Sequence, residues 1–429
     1  MTISSLAVRQ AAQRLRLPNG LTLLLAQNPT VDIVAARLFF PAGSYVESPE
    51  KAGLASLVAS VLTKGTSSRD SQAIASCVES LGAAIGVDSS ADYFEVSLKS
   101  LAEDLPQVLA LVAEILRDPI FPEAEVWREQ QLMLQAIRSQ QERPFSVAYD
   151  QLRQILYDNH PYAFSHLGKA SSLGSLTRQD LQTYHAQHLR PDSLIMAVVG
   201  PLPADQLAEL IASHLGSWIS APPARPPARP PALPPRPQGS LCTTGQTTQQ
   251  STVMLGYRGC AVGDPDYAPL KVLATYLGSG LSSRLFVELR EKRGLAYEVS
   301  AFFATRRDPA PFVAYLGTAA DNTQTALAGL QAELDRLHQH PLSPSEVAVC
   351  QRKVLGQYAL SKQTNAQIAQ MLGWYEVLQL GMEFDQTYPS LVKAVTPQSL
   401  HRVAQTYLTD PVISLVGPES ALAEVSVTY

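Results

Sequence analysis

Two α+β halves, each a mainly antiparallel sheet covered by helices and joined by a proline-rich linker, are what this 429-residue sequence predicts. Apolar residues alternate with period two in some stretches and recur at helical spacing in others. The same succession of elements occurs twice. Between the two occurrences lies Ala221 to Gln238, APPARPPARPPALPPRPQ, which supports neither helix nor sheet. The resulting division is residues 1–220, a linker over 221–240, and residues 241–429.

Taken in order, Leu17-Pro18-Asn19-Gly20-Leu21-Thr22 reads as a turn into the first strand. The strand Asp32 to Phe40 is followed by a helix from Lys51, as Ser251 to Tyr257 is followed by a helix from Asp266. Asp92 to Ser100 has the period of a strand in a hairpin. Leu101 to Leu116 and Glu123 to Gln140 have the periodicity of amphipathic helices. LTRQDLQTYHAQHLRPDSLIMAVVGPL, from Leu176 to Leu202, parallels VTPQSLHRVAQTYLTDPVISLVGPE, from Val395 to Glu419. Each reads helix, short turn, apolar strand, Val-Gly-Pro. At about 3 Å per residue the proline-rich segment spans roughly 55 Å when stretched. It contains Pro231-x-x-Pro234-x-Arg236, a match to proline-recognition ligands that this composition produces by chance.

Composition narrows the function classes. The hydrophobic content of 46% supplies core for two domains, and a net charge of -5 gives no electrostatic basis for binding nucleic acid. No apolar run reaches the length of a membrane span. Cys77, Cys242, Cys260 and Cys350 are widely spaced, with no Cys-x-x-Cys pair, which suits a reducing, cytoplasmic compartment. The acid-free opening MTISSLAVRQAAQRLRL has presequence-like composition but reads as the lead-in to the fold.

The segment Gly53 to Thr66, GLASLVASVLTKGT, resembles the inverted zinc helix His-x-x-Glu-His of the insulinase-like (pitrilysin) metallopeptidases. Its flanks Gly53-Leu54-Ala55 and Lys64-Gly65-Thr66 are in register. Zinc requires two imidazoles four residues apart on one helical face, with a carboxylate between them to accept a proton from bound water. Here those positions hold Ser56, Ala59 and Ser60, whose small size suits close packing. The family's further ligand is a Glu in a later helix. The similar stretch Arg128-Glu129-Gln130-Gln131-Leu132-Met133-Leu134-Gln135-Ala136-Ile137 places Ala136 there, so four ligand or base positions are lost together. No metal ligand and no cofactor are expected in this chain.

The segment from Ser282 to Val299, SSRLFVELREKRGLAYEV, is similar to the family's second signature, an Arg and a Tyr seven residues apart. These fall on Arg290 and Tyr297. The resemblance implies catalytic roles for both: they bind the scissile carbonyl and its developing oxyanion, facing zinc held elsewhere. A phenol is a neutral directional donor and Arg a permanent cation, both strong in a water-poor cleft. Gly278-Ser279-Gly280, just upstream, corresponds to a loop near the family's substrate channel.

The resemblance covers nearly the whole chain and extends to the mitochondrial processing peptidase branch, in which two such subunits form a clamshell. It implies a zinc-free subunit, inactive alone, whose homologous zinc-binding partner cleaves peptides held by strand addition. The same fold also serves as the structural, zinc-free core subunits of respiratory complexes, and a homodimer that only holds peptides is a further possibility. Other polar residues offer less. His185 and His188 share a helical face and read as a surface pair, His338 and His340 end a helix, and His160-Pro161-Tyr162 reads as a structural loop. There is no Gly-x-Ser-x-Gly elbow and no phosphate loop.

Overall fold

The computed structural model describes residues 12–219, 231–423 and 425–426. It contains two mostly antiparallel sheets covered by helices, the α+β architecture the periodicities predict. The strands are β1 (Gln13–Arg16), β2 (Thr22–Gln27), β3 (Ile33–Phe40), β4 (Ala84–Ser89), β5 (Phe94–Leu101), β6 (Ile195–Gly200), β7 (Ser240–Gly245), β8 (Gln250–Arg258), β9 (Glu298–Phe303), β10 (Pro311–Ala319) and β11 (Val412–Gly417). One sheet has the order β1-β2-β6-β3-β5-β4 and the other β7-β11-β8-β10-β9.

The orders superpose if β7, β11, β8, β10 and β9 take the places of β2, β6, β3, β5 and β4. Parallel pairing occurs at the corresponding position in each sheet, β2 with β6 and β11 with β7. The Leu-Thr and Val-Thr repeats form helices Arg178–His188 and Pro397–Tyr407. Their N-caps are the capping boxes Thr177 with Asp180 and Thr396 with Ser399. Each box satisfies two amides that a helix start leaves unpaired, which is why the repeat begins where it does.

The chain forms two compact units. One draws on Met1–Gln135, Ser165–Pro230 and Leu360–Asp385, the other on Ala136–Phe164, Pro231–Ala359 and Gln386–Tyr429. The helix Asn365–Val377, late in sequence, packs on β3 and β6, whereas the early helix Pro144–Tyr157 packs on β8 and β11. Ile368, Ala369 and Leu372 join Leu24, Ala197 and Val199 in a buried cluster. Close approach requires a missing side chain: a Cβ on Gly373 would lie 2.2 Å from the Phe39 ring, and one on Gly256 would lie 2.2 Å from Leu152. Polar ends are fixed as well, since Asn365 donates to the Ile33 carbonyl at 2.8 Å.

The opening residues 1–11 and linker residues 221–230 lie outside the described residues. Residues 231–239 have no regular structure. Arg236 of the Pro-x-x-Pro-x-Arg match donates to the Thr406 carbonyl at 2.9 Å and stacks over the Tyr407 ring at 5.0 Å. The four cysteines are free thiols. Among the described residues no helix is long and apolar enough to cross a membrane.

Candidate functional site

The helix Leu54–Val61 occupies the zinc-helix register. Gly53 opens it at φ 96°, and any Cβ there would lie 2.6 Å from the Leu167 carbonyl oxygen, so the glycine of the Gly-Leu-Ala flank is required by backbone conformation and contact. The carboxylate of Glu47 accepts from the amides of Gly53 (3.0 Å) and Ala55 (2.5 Å). Burial, opposed by those amides, pushes its pKa up to about 8. At the other end Lys64 pairs with Glu129 at 3.2 Å, tying the Lys-Gly-Thr flank to the helix Glu123–Gln141.

Both flanks persist and the ligands between them do not. The Ser56 hydroxyl donates to the His166 carbonyl at 2.7 Å, and that of Ser60 donates to the Leu57 carbonyl at 2.9 Å. Ala59 is buried and Ala136 is exposed on its helix. Two committed hydroxyls and two methyls do not suit Zn²⁺, which takes imidazole, thiolate or carboxylate. Among the described residues no three His, Cys, Asp or Glu side chains stand where they could hold a metal ion.

The second signature folds as a helical segment that widens into a π-turn over Phe286–Glu291 and then turns at Gly294 (φ 60°) into β9. The Tyr297 amide donates to the Gly317 carbonyl at 2.9 Å, which fixes the backbone beside β10. Tyr297 is 61% exposed. No partner among the described residues takes its hydroxyl. Two cations nearby are paired: Arg284 with Glu333 at 2.7 Å and with Glu288 at 2.9 Å, and Lys292 with Glu288 at 2.9 Å. Arg290 has no carboxylate partner among the described residues. Its guanidinium lies 5.0 Å from the Phe286 ring centroid. Uncommitted donors of this kind can stabilise negative charge developing on a bound oxygen.

The expectation of a surface pair at His185 and His188 requires correction. Both are half-buried, because Arg178–His188 packs this face inward. The His185 Nε2 bonds to the Leu116 carbonyl at 2.8 Å, and the His188 ring lies 4.8 Å from that of Tyr184. Burial lowers the pKa of His188 to about 4. Because its unfolded pKa is about 6.5, the unfolded chain binds the extra proton between these values. Stability from this residue is therefore complete above about pH 6.5 and is lost as pH falls toward 4. We expect His188→Gln to show a smaller drop in urea midpoint than wild type between pH 7 and pH 5; equal drops would contradict this assignment.

His160 is buried, its Nδ1 accepting the Tyr162 amide at 3.2 Å, in keeping with a structural loop. A polar pocket that local sequence does not reveal lies between β4, β5 and the helix Asn365–Val377, with Arg37, Asp88, Glu95 and Gln370 in its wall. Gln370 donates to Glu95 at 3.0 Å across 275 residues of sequence, and Glu95 also pairs with Arg37. Only the packing of a distant helix assembles it.

Comparison with known proteins bears on the fold and the family. Residues 22–170 match the family model described as Insulinase (Peptidase family M16), and residues 175–354 match the Peptidase M16 inactive domain. An uncharacterized zinc protease of Bacillus subtilis is 26% identical over 93% of this chain and 97% of its own length. One of Rickettsia felis is 25% identical over 93% and 92%. The crystal structure of a peptidase M16 inactive domain from Pseudomonas fluorescens aligns with TM-score 0.87 and 26% identity, covering 95% of this chain and 98% of that one. A protease from Helicobacter pylori, at TM-score 0.90 and 21% identity over 96% and 100%, shares the fold. Two successive family models on a duplicated fold, with the zinc-helix register preserved and its ligands replaced, identify this chain as a member of the insulinase (M16) peptidase family.

Proposed function

We propose that this chain is the zinc-free subunit of a heterodimeric zinc metalloendopeptidase of the processing-peptidase type, acting on peptides or unfolded segments. The observation that carries the reading is the contrast between its two signatures. Serine and alanine replace every ligand and base of the zinc helix, whereas among the described residues Arg290 has no carboxylate partner and the Tyr297 hydroxyl no acceptor. A homologous partner with an intact His-x-x-Glu-His would hold the zinc that supplies the attacking water. As the water oxygen bonded to the scissile carbonyl carbon, its proton would pass to the Glu of the partner's motif and the C=O π pair would move onto the carbonyl oxygen. The Tyr297 O–H and Arg290 N–H groups donate to that oxyanion, favouring the transition state over the ground state.

A second reading is an inactive structural or peptide-binding protein, like the core subunits of respiratory complexes. The replacement of the zinc-helix positions by Ser56, Ala59 and Ser60, with Ala136 at the remaining ligand position, favours it. The test is hydrolysis of a mixed pool of unstructured peptides by this chain, by the His-x-x-Glu-His homologue encoded in the same genome, and by the two co-expressed, with zinc measured in each. The split-site reading expects activity only in the complex and zinc only in the homologue. A stable, zinc-loaded, inactive complex, or a genome without such a homologue, would leave the structural reading.

A further inference from the structure

We propose that Phe286 is a positioning residue for Arg290, its ring holding the guanidinium where the oxyanion forms. The inference rests on the function proposed above and adds a residue to it. Arg290 belongs to a cationic segment with Arg284, Lys292 and Arg293. Arg284 and Lys292 are held by carboxylates, Glu333 and Glu288. A carboxylate would also hold Arg290 in place, but it would occupy the guanidinium N–H groups and cancel the charge that an oxyanion needs. An aromatic face restrains the cation through its quadrupole and leaves those edge N–H groups unspent. That is the arrangement found here: the guanidinium carbon lies 5.0 Å from the Phe286 centroid, with the ring partly buried and Arg290 exposed.

The backbone supports the same geometry. Phe286 and Arg290 lie within one π-turn, in which the Lys292 amide bonds to the Val287 carbonyl at 3.0 Å. Leu289, between them in sequence, is fully buried and anchors the turn. A flexible, exposed Arg loses rotamer freedom when it binds; pre-restraining it lowers that cost at the transition state. A contact of this kind typically contributes about 0.5–1 kcal/mol at an exposed site, or roughly two- to fivefold in rate.

The experiment is a double-mutant cycle in the co-expressed complex, with Phe286→Leu, Arg290→Ala and the double variant assayed on a substrate peptide. A second readout is calorimetric binding of a phosphinic peptide, whose tetrahedral anion mimics the oxyanion. We expect Phe286→Leu to lower kcat about two- to fivefold with KM unchanged, and to weaken phosphinic-peptide binding by the same factor. Phe286→Tyr, which keeps the ring, restores both, and Phe286→Leu costs nothing further once Arg290 is Ala. An equal loss in both Arg290 backgrounds would mean a general packing role and overturn the proposal, as would an unaltered kcat where Arg290→Ala is impaired. If Arg290→Ala itself were fully active, the proposed oxyanion role and this inference would fall together.

Discussion

Tyr297→Phe in the assembled complex is expected to lower turnover about a hundred- to a thousandfold, the usual consequence of removing one oxyanion donor. The loss should fall on kcat and kcat/KM alike, because the hydroxyl acts on charge present only in the transition state. Assembly should be unaffected, since Tyr297 is 61% exposed and its fixed bond, to the Gly317 carbonyl, is made by the backbone. Steady-state kinetics and sedimentation of the purified complex check both halves of the expectation. Wild-type turnover by a correctly assembled Tyr297→Phe complex would refute the catalytic assignment and return the chain to a structural role.

Gly278→Ala should be the most damaging single methyl addition in the loop that precedes the Arg/Tyr segment. Gly278 ends the helix Tyr267–Gly278, where an added Cβ would lie 1.8 Å from the Ala301 backbone nitrogen and 2.6 Å from its Cα. Ala301 lies in β9 and is paired to Ala314, and Ser300 donates to the Gly278 carbonyl at 2.9 Å, so neither side can yield alone. We expect about 3 kcal/mol of destabilisation, at the upper end for overpacking, read as a lower urea midpoint. Gly356→Ala is the internal control. That residue sits inside the helix Pro344–Leu360 with open space where a Cβ would stand, and the substitution should gain about 0.5–1 kcal/mol from helix propensity. If the two substitutions proved equally tolerated, steric crowding at β9 would not be the determinant.

Much of the fold is legible because its signals are local. The strand expected over Asp32 to Phe40 forms as Ile33–Phe40, and that expected over Ser251 to Tyr257 forms as Gln250–Arg258. The helix expected from Asp266 begins at Tyr267, with Asp266 as its cap. The helix expected from Lys51 begins later, at Leu54, because Pro49–Lys51 closes as a separate short turn and Gly53 resets the backbone. Sequence misplaces His185 and His188 at the surface for a related reason: helical spacing gives a shared face, but not what covers it.

The order and type of elements, the duplicated unit and the loss of zinc ligands are legible in the residues themselves, since each follows from covalent identity or from neighbours a few residues away. Packing between distant segments sets the rest: Asn365–Val377 covers the β3–β6 face while Pro144–Tyr157 covers β8 and β11. It also joins Gln370 to Glu95 and Arg284 to Glu333, pairs that lie far apart in sequence. The difference is one of range. Periodicity and capping are fixed within a turn or a strand, whereas burial and charge pairing depend on complementarity between surfaces that sequence separation does not encode.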